Sequence, residues 1–484
     1  MHTEFYCRQS GSNLNAGSSD ADASTLTYAS GSWVAATGVF TVASGNPTSD
    51  GVAVGNFVSV YANGSTTTGF VGRVTARDAT TITVSLTAVA GTPPTDGSGT
   101  RTLKVGGAWA KPSGSTVFPF AFVTPTLMNS SNHTTRVNFK DDSESNITST
   151  LTSNIQGPIT FEGYTSTPGD GGRFWIDGGT TGTSFVLLAN TQNYNRFINL
   201  GLKNNGDTGT ARDGFTNTGN SVILYGLIAH SIRRTAIQTQ GNTSAKLLEV
   251  YNANQSNTVN QGGYSFATAG SSLERCVVHN MRNGSNGNGF ILDTSLNFIM
   301  CMSVYNQGHG VISNGDTNQN FYFSDFSFNG GNGFNFAGGS QVMQSSFSGC
   351  NFIGNTGYGI AFRPQGHSGA IINCGFGAGT MANGLGNFSY SEPWAMKEIN
   401  NFSYPADTTP YRDYLNGDFT IVSSSSINQG PGTFSMTKSG YGGTVGYPDV
   451  GAGQHLESAG GAGLMWGNMS KKKRKIKETL LKKS

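Results

Sequence analysis

The 484-residue sequence predicts an all-β chain wound as a parallel β-helix solenoid. Three observations predict it. A glycine before an apolar residue returns every 21 to 27 positions, four cysteines recur at matching intervals, and no helix-length apolar stripe fits between the returns.

The repeat is clearest at residues 329–336, NGGNGFNF, with NGFI at 288–291, GHGV at 308–311 and GYGI at 357–360. Taking the glycine before the apolar residue as the marker gives Gly214, Ala236 as a small substitute, Gly263, Gly289, Gly310, Gly333, Gly359 and Gly384. The residues that follow are Phe215, Ile237, Tyr264, Phe290, Val311, Phe334, Ile360 and Leu385, all apolar, and the positions after them are mostly polar or small. That alternation is a strand with one face in and one out. One such coil buries its inward side chains only against the coils above and below, so the pattern must recur in register. The glycines are expected to supply turns with positive φ, a region Asn also tolerates.

Cys276, Cys301, Cys350 and Cys374 are spaced by 25, 49 and 24 residues, which is one, two and one coils, with Ser324 or Asp325 in the skipped rung. With no C-x-x-C and no histidine in the file, they read as small buried hydrophobes. Thirty Phe and five Trp in a chain that is only 12% charged predict aromatic stacks inside the coils. No run approaches 18 apolar residues, so no membrane span is predicted. The formal charge of +2 comes from the tail, because residues 471–484 hold eight basic groups and one acid. The body is mildly acidic, which argues against a specific nucleic-acid partner.

Along the chain, residues 1–19 read as a strand and an Asn/Gly turn. Residues 20–110 hold strictly alternating runs (GVFTVAS, NFVSVYANG, GFVGRVTARD, TTITVSL), as in a small antiparallel barrel or sandwich, either inserted or N-terminal. Residues 111–390 carry the coils, starting near TRVNFKDD and continuing through PITFEGY and RFINLGLKNN. Residues 391–455 close the helix with looser β segments, and residues 456–484 form a Gly-rich linker and a basic tail.

The opening FYCRQSGSNLNAGS resembles the Y-V-x-x-x-G-x-D-x-N-x-G start of many right-handed parallel β-helix proteins of the pectate-lyase-like class, phage tailspikes included, although Asn13 stands where Asp is usual. The closing YPDVGAGQH resembles the D-I-G-A-x-Q end of the same class. The resemblance implies a right-handed solenoid and leaves the activity open, since this fold hosts lyases, hydrolases, epimerases and structural spikes.

Polysaccharide cleavage needs carboxylates gathered on one outer face, about 5 Å apart for retention or about 6.5–9.5 Å for inversion. Glu249 and Glu274, 25 residues apart, are the best pair, and Glu274 should share the face of Cys276. A corner salt bridge from Arg275 or Lys246 competes with that reading. Asp293 and Asp316 form a second, unaligned pair. Asp213, in the charged loop with Asp207 and Arg212, and Arg363 and His367, in a loop near His309, are the ligand candidates, against ordinary solvated turns. No metal-ligand spacing, phosphate loop or dinucleotide fingerprint is present, so no cofactor or metal is expected.

Met1 is followed by strand-like sequence and no secretory pattern, which, if Met1 is the natural start, points to a virion rather than an exported protein. The expected function is a virion structural protein, a phage tailspike, fibre or capsid-surface appendage that contacts host glycans. A polysaccharide lyase or glycoside hydrolase is the alternative, and a bacterial surface adhesin a further one. Expected partners are capsid or tail proteins, host polysaccharide, and a second copy of the chain in a homo-oligomer such as a trimer. In the tail, Lys471, Lys472, Lys473, Arg474 and Lys475 surround a helical apolar spacing of Ile476 and Leu480, expected to fold on an acidic partner and anchor the protein.

Overall fold

In the computed structural model the described residues are 3–65, 69–87, 91–115, 135–153, 158–256, 261–282, 284–315, 318–337, 343–361, 367–377, 395–399, 402–404, 411–413 and 418–421. They divide into two compact units, Met1–Ile228 and Ala229–Ser484. In both, the coils are made of short parallel strands, and the described residues contain a 3-10 turn at Gly284–Asn286 but no α-helix.

Each coil carries three strands, one per face, in a fixed order. In the first unit, Thr135–Lys140 lies on face one, Ser145–Asn146 on face two and Leu151–Ser153 on face three. The next coil repeats this with Ile159–Tyr164, Phe174–Asp177 and Leu188–Asn190. Pairing is parallel and in register, with Val137 beside Phe161, Ser145 beside Ile176 and Leu151 beside Leu188. Thr3–Arg8 pairs in parallel with Thr135–Lys140, so the N-terminal strand is itself a rung of face one. In the sequence the two rungs are separated by a closed antiparallel barrel of six strands, from Leu26–Val34 to Gly97–Val105, around a core that includes Trp33, Phe40, Phe70 and Leu103.

In the second unit the marker positions form one file on face three: Ile237 pairs with Tyr264, then Phe290, Val311, Phe334 and Ile360 follow in turn. All are buried. The sequence period is therefore the coil, and Leu385 lies outside the described residues. On face two, the pairing of Val277 with Met302 places Cys276 beside Cys301, and the bridges through Asp325 and Asn351 add Ser324, Cys350 and Cys374 to the same fully buried file. Ser324, not Asp325, fills the skipped rung. Burial pushes the Cys276 and Cys350 thiols up, so they stay protonated and pack as hydrophobes. On face one Phe298, Phe321 and Phe347 stack at 4.8 Å per step.

The role expected of the marker glycines needs correction. None of Gly214, Gly263, Gly289, Gly310, Gly333 or Gly359 has positive φ. They are small because the interior leaves no room: a Cβ on Gly289 would sit 1.9 Å from Ser303 Oγ, and one on Gly333 would sit 2.6 Å from Phe326 O. Positive φ instead occupies two corners of each coil. Leu247, Arg275, Met300 and Phe323 turn the chain from face one to face two, and Asn252, Asn280, Tyr305 and Phe328 turn it from face two to face three. The backbone disfavours the side chains other than Asn252 and Asn280 by about 1–2 kcal/mol each, a cost the stacked coils must offset.

Candidate functional site

The left-handed corner at Arg275 separates Glu274 from Cys276. Cys276 points inward on face two, whereas Glu274 ends face one on its outer side, so the expectation that they share a face is corrected. Glu274 is in register with Lys246, which reaches Oε1 at 2.8 Å and Oε2 at 2.9 Å, with Arg275 Nε at 3.7 Å from Oε1. Directly above it the column runs through Ile299 and Tyr322, neither of them acidic. Glu249 stands on face two and shares no column with Glu274.

Glu249 meets His279 instead. Asn280 Nδ2 donates to His279 Nδ1 at 3.0 Å, leaving Nε2 to donate to Glu249 Oε1 at 3.2 Å. His230, Tyr251 and His279 form an outward ring stack with centroids 4.8 and 5.3 Å apart. With both of its nitrogens engaged, His279 orients this stack and is not placed to take a proton from a substrate.

The other sequence candidates scatter. Asp293 is exposed in a turn, its N–H bonded to Phe266 O. Asp213 is fully buried, while Asp207 Oδ1 accepts the Gly182 N–H at 2.8 Å. His309 Nδ1 accepts the Asn332 N–H at 2.8 Å, its ring fills the space a Cβ on Gly331 would need, and burial lowers its pKa. It is a corner lock. Asp316, Arg363, the His367 side chain and the tail residues 471–484 lie outside the described residues.

The densest polar cluster was not foreseen. On the outer side of face one in the first unit, three strands align as TEFYCR, TRVNFK and ITFEGY, so their outward side chains form rows: Glu4, Arg136, Thr160; Tyr6, Asn138, Glu162; Arg8, Lys140, Tyr164. Arg136 bridges two acids, with Nη1 at 3.8 Å from Glu4 Oε1 and Nε at 3.3 Å from Glu162 Oε2. Tyr6 Oη donates to Glu4 Oε2 at 2.8 Å. Arg8 and Lys140 both pair with Asp20, at 3.4 and 3.0 Å, and Lys111 with Asp142 closes the lower edge. Burial pushes the Glu162 carboxyl up, and Arg136 opposes that only in part. Burial, with the hydrogen bond to Glu4, raises the Tyr6 phenol to about 12. Aligning the three hexapeptides would have exposed this cluster in the sequence, but their register is hidden by the barrel inserted between the first two.

No protein-family model matches the chain, and no curated protein matches it. Among solved structures, the pectate lyase Pel9A is 15% identical with a TM-score of 0.41, covering 67% of this chain and 88% of its own. The tailspike protein gp49 of Pseudomonas phage LKA1 is 11% identical at 0.29, covering 84% and 67%. The A-module of the Azotobacter vinelandii mannuronan C-5 epimerase AlgE6 is 10% identical at 0.29, covering 58% and 92%. Likenesses this distant decide nothing about chemistry.

Proposed function

We propose that the chain is a structural protein of a virus particle, a tailspike, fibre or capsid-surface appendage whose solenoid binds host glycans without cleaving them. One observation carries the non-cleaving part: Glu4 and Glu162 share Arg136, Glu249 meets His279, and Glu274 is clamped by Lys246. Glycan cleavage by acid and base needs a pair of such groups flanking open space, and each of these is already engaged. The resemblance of the opening and closing motifs to β-helix tailspikes supports the virion setting. The basic tail, Lys471 to Leu480, is the proposed anchor to an acidic surface of the particle, an attraction that salt weakens.

A second reading, a polysaccharide-cleaving enzyme, is favoured by Glu162 alone. Its raised pKa suits a general acid, and Glu4 beyond Arg136 would be the partner. The setting is tested by purifying particles and probing for the chain, with and without residues 470–484. The full chain should co-purify and the truncated chain should fold but be absent. Absence of both from particles contradicts the virion assignment, and retention of the truncated chain contradicts the tail anchor.

A further inference from the structure

The outer side of face one contains an anomaly that the ion pairs do not explain. Asn138 sits at the centre of the aligned rows, 0% exposed, and neither its Nδ2 nor its Oδ1 has a hydrogen-bond partner. Its row neighbours are Tyr6 on one side and Glu162 on the other, and Glu162 Oε2 also lacks a hydrogen bond, with the Arg136 Nε 3.3 Å away. Buried amides are almost always paired, so an orphan of this kind marks a place where a polar group from outside the chain belongs.

The orphaned atoms indicate what that group is. Asn138 offers one donor and one acceptor side by side. Glu162 Oε2, which has no hydrogen bond, offers a further acceptor. The nearby cations are already neutralised: Arg136 by Glu4 and Glu162, Lys140 and Arg8 by Asp20. An anion would find no free positive charge here, and a cation no free carboxylate. Hydroxyl groups, each able to donate and accept, fit the set. The rings of Tyr6 and Tyr164, edge to face at 6.2 Å, add an apolar wall beside the polar atoms. Rungs repeat about every 4.8 Å, roughly the length of a pyranose ring.

We propose that the outer side of face one, centred on Asn138 between Tyr6 and Glu162, is a subsite for a neutral sugar unit of a polysaccharide. The assignment rests on the glycan-contacting reading above and adds the place and the class of sugar. Glu4, Arg136 and Asp22, partly exposed at its rim, are the groups a longer glycan meets on approach.

The test is equilibrium binding of the full chain to a panel of neutral and uronate-containing oligosaccharides, with a melting curve for every variant. Wild type should bind a neutral member. Asn138→Leu should lose at least tenfold in affinity while its melting temperature holds or rises, because an unpaired amide has been removed. Should Asn138→Leu fail to fold, Glu162→Gln, which keeps the shape and changes the donor pattern, should show the same tenfold loss. Wild-type binding that survives both substitutions overturns the subsite alone and leaves Asn138 as a site for buried water. Preference for uronates overturns the neutral class. Binding of no glycan at all overturns the glycan-contacting reading itself.

Discussion

At the scale of single residues, the chain separates two uses of backbone freedom that its composition blurs. The marker glycines stand where a Cβ would strike packed neighbours, as at Gly333, and the left-handed corners between faces in the second unit are carried mostly by other residues, as at Met300. The period was legible because glycine marks it. The reason was not, because a sequence does not distinguish a glycine kept for its φ from one kept for its size. Gly333→Ala should therefore cost about 1–3 kcal/mol through overpacking. Met300→Gly, at a half-buried left-handed corner, should stabilise by up to about 1 kcal/mol. Chemical denaturation of both variants checks the pair, and opposite signs are the expected outcome. Glu162 gives a pH signature. A carboxyl whose folded pKa is raised contributes stability that is complete below its unfolded pKa and lost as pH rises through the folded value. Glu162→Gln should thus raise the melting temperature at neutral pH, and the gain should vanish as the pH falls toward the unfolded carboxyl range.

At the scale of elements, the coils are tied by ladders of like residues. Asn306, Asn329 and Asn355 stack inside the corner between faces two and three. Asn306 Nδ2 donates to Asn329 Oδ1 at 3.0 Å, and Asn329 Nδ2 donates to Asn355 Oδ1 at 3.0 Å. Asn329 Nδ2 also reaches Ser303 O at 3.0 Å, and the Asn306 N–H reaches Asn329 Oδ1 at 3.2 Å. Each of these asparagines stands four positions before a marker glycine, a signal that was present but submerged in a chain rich in Asn. The cysteine file was legible because cysteine is scarce. Asn329→Ala should cost about 3 kcal/mol, since several buried donors and acceptors lose partners together. Cys301→Ala, which removes one sulfur from an apolar file, should cost closer to 1 kcal/mol. Thermal melts that rank the two in the reverse order would contradict the ladder account. The face-one cluster was invisible for a different reason: its rows join residues 4–8 to residues 136–164 across an inserted barrel, and only the strand register brings them together.

At the scale of the whole molecule, a repeating scaffold was the easiest property to read and a function the hardest. A three-faced solenoid needs a fixed pattern inside and tolerates almost anything outside, so the residues that dictate the fold carry little information about the activity. The acids that a sequence search singles out, Glu249 and Glu274, are held by His279 and Lys246 on separate faces. In the face-one cluster the acids and bases compensate one another, which suits the surface proposed to hold a glycan. The most direct measurement is incubation of the purified chain with a panel of bacterial surface polysaccharides, following retention on the glycan together with reducing ends and unsaturated products. The account predicts retention on at least one polysaccharide with no new reducing ends and no unsaturated sugar. Turnover by the wild type that disappears in Glu162→Gln would contradict it and assign the chain to the glycan-cleaving enzymes.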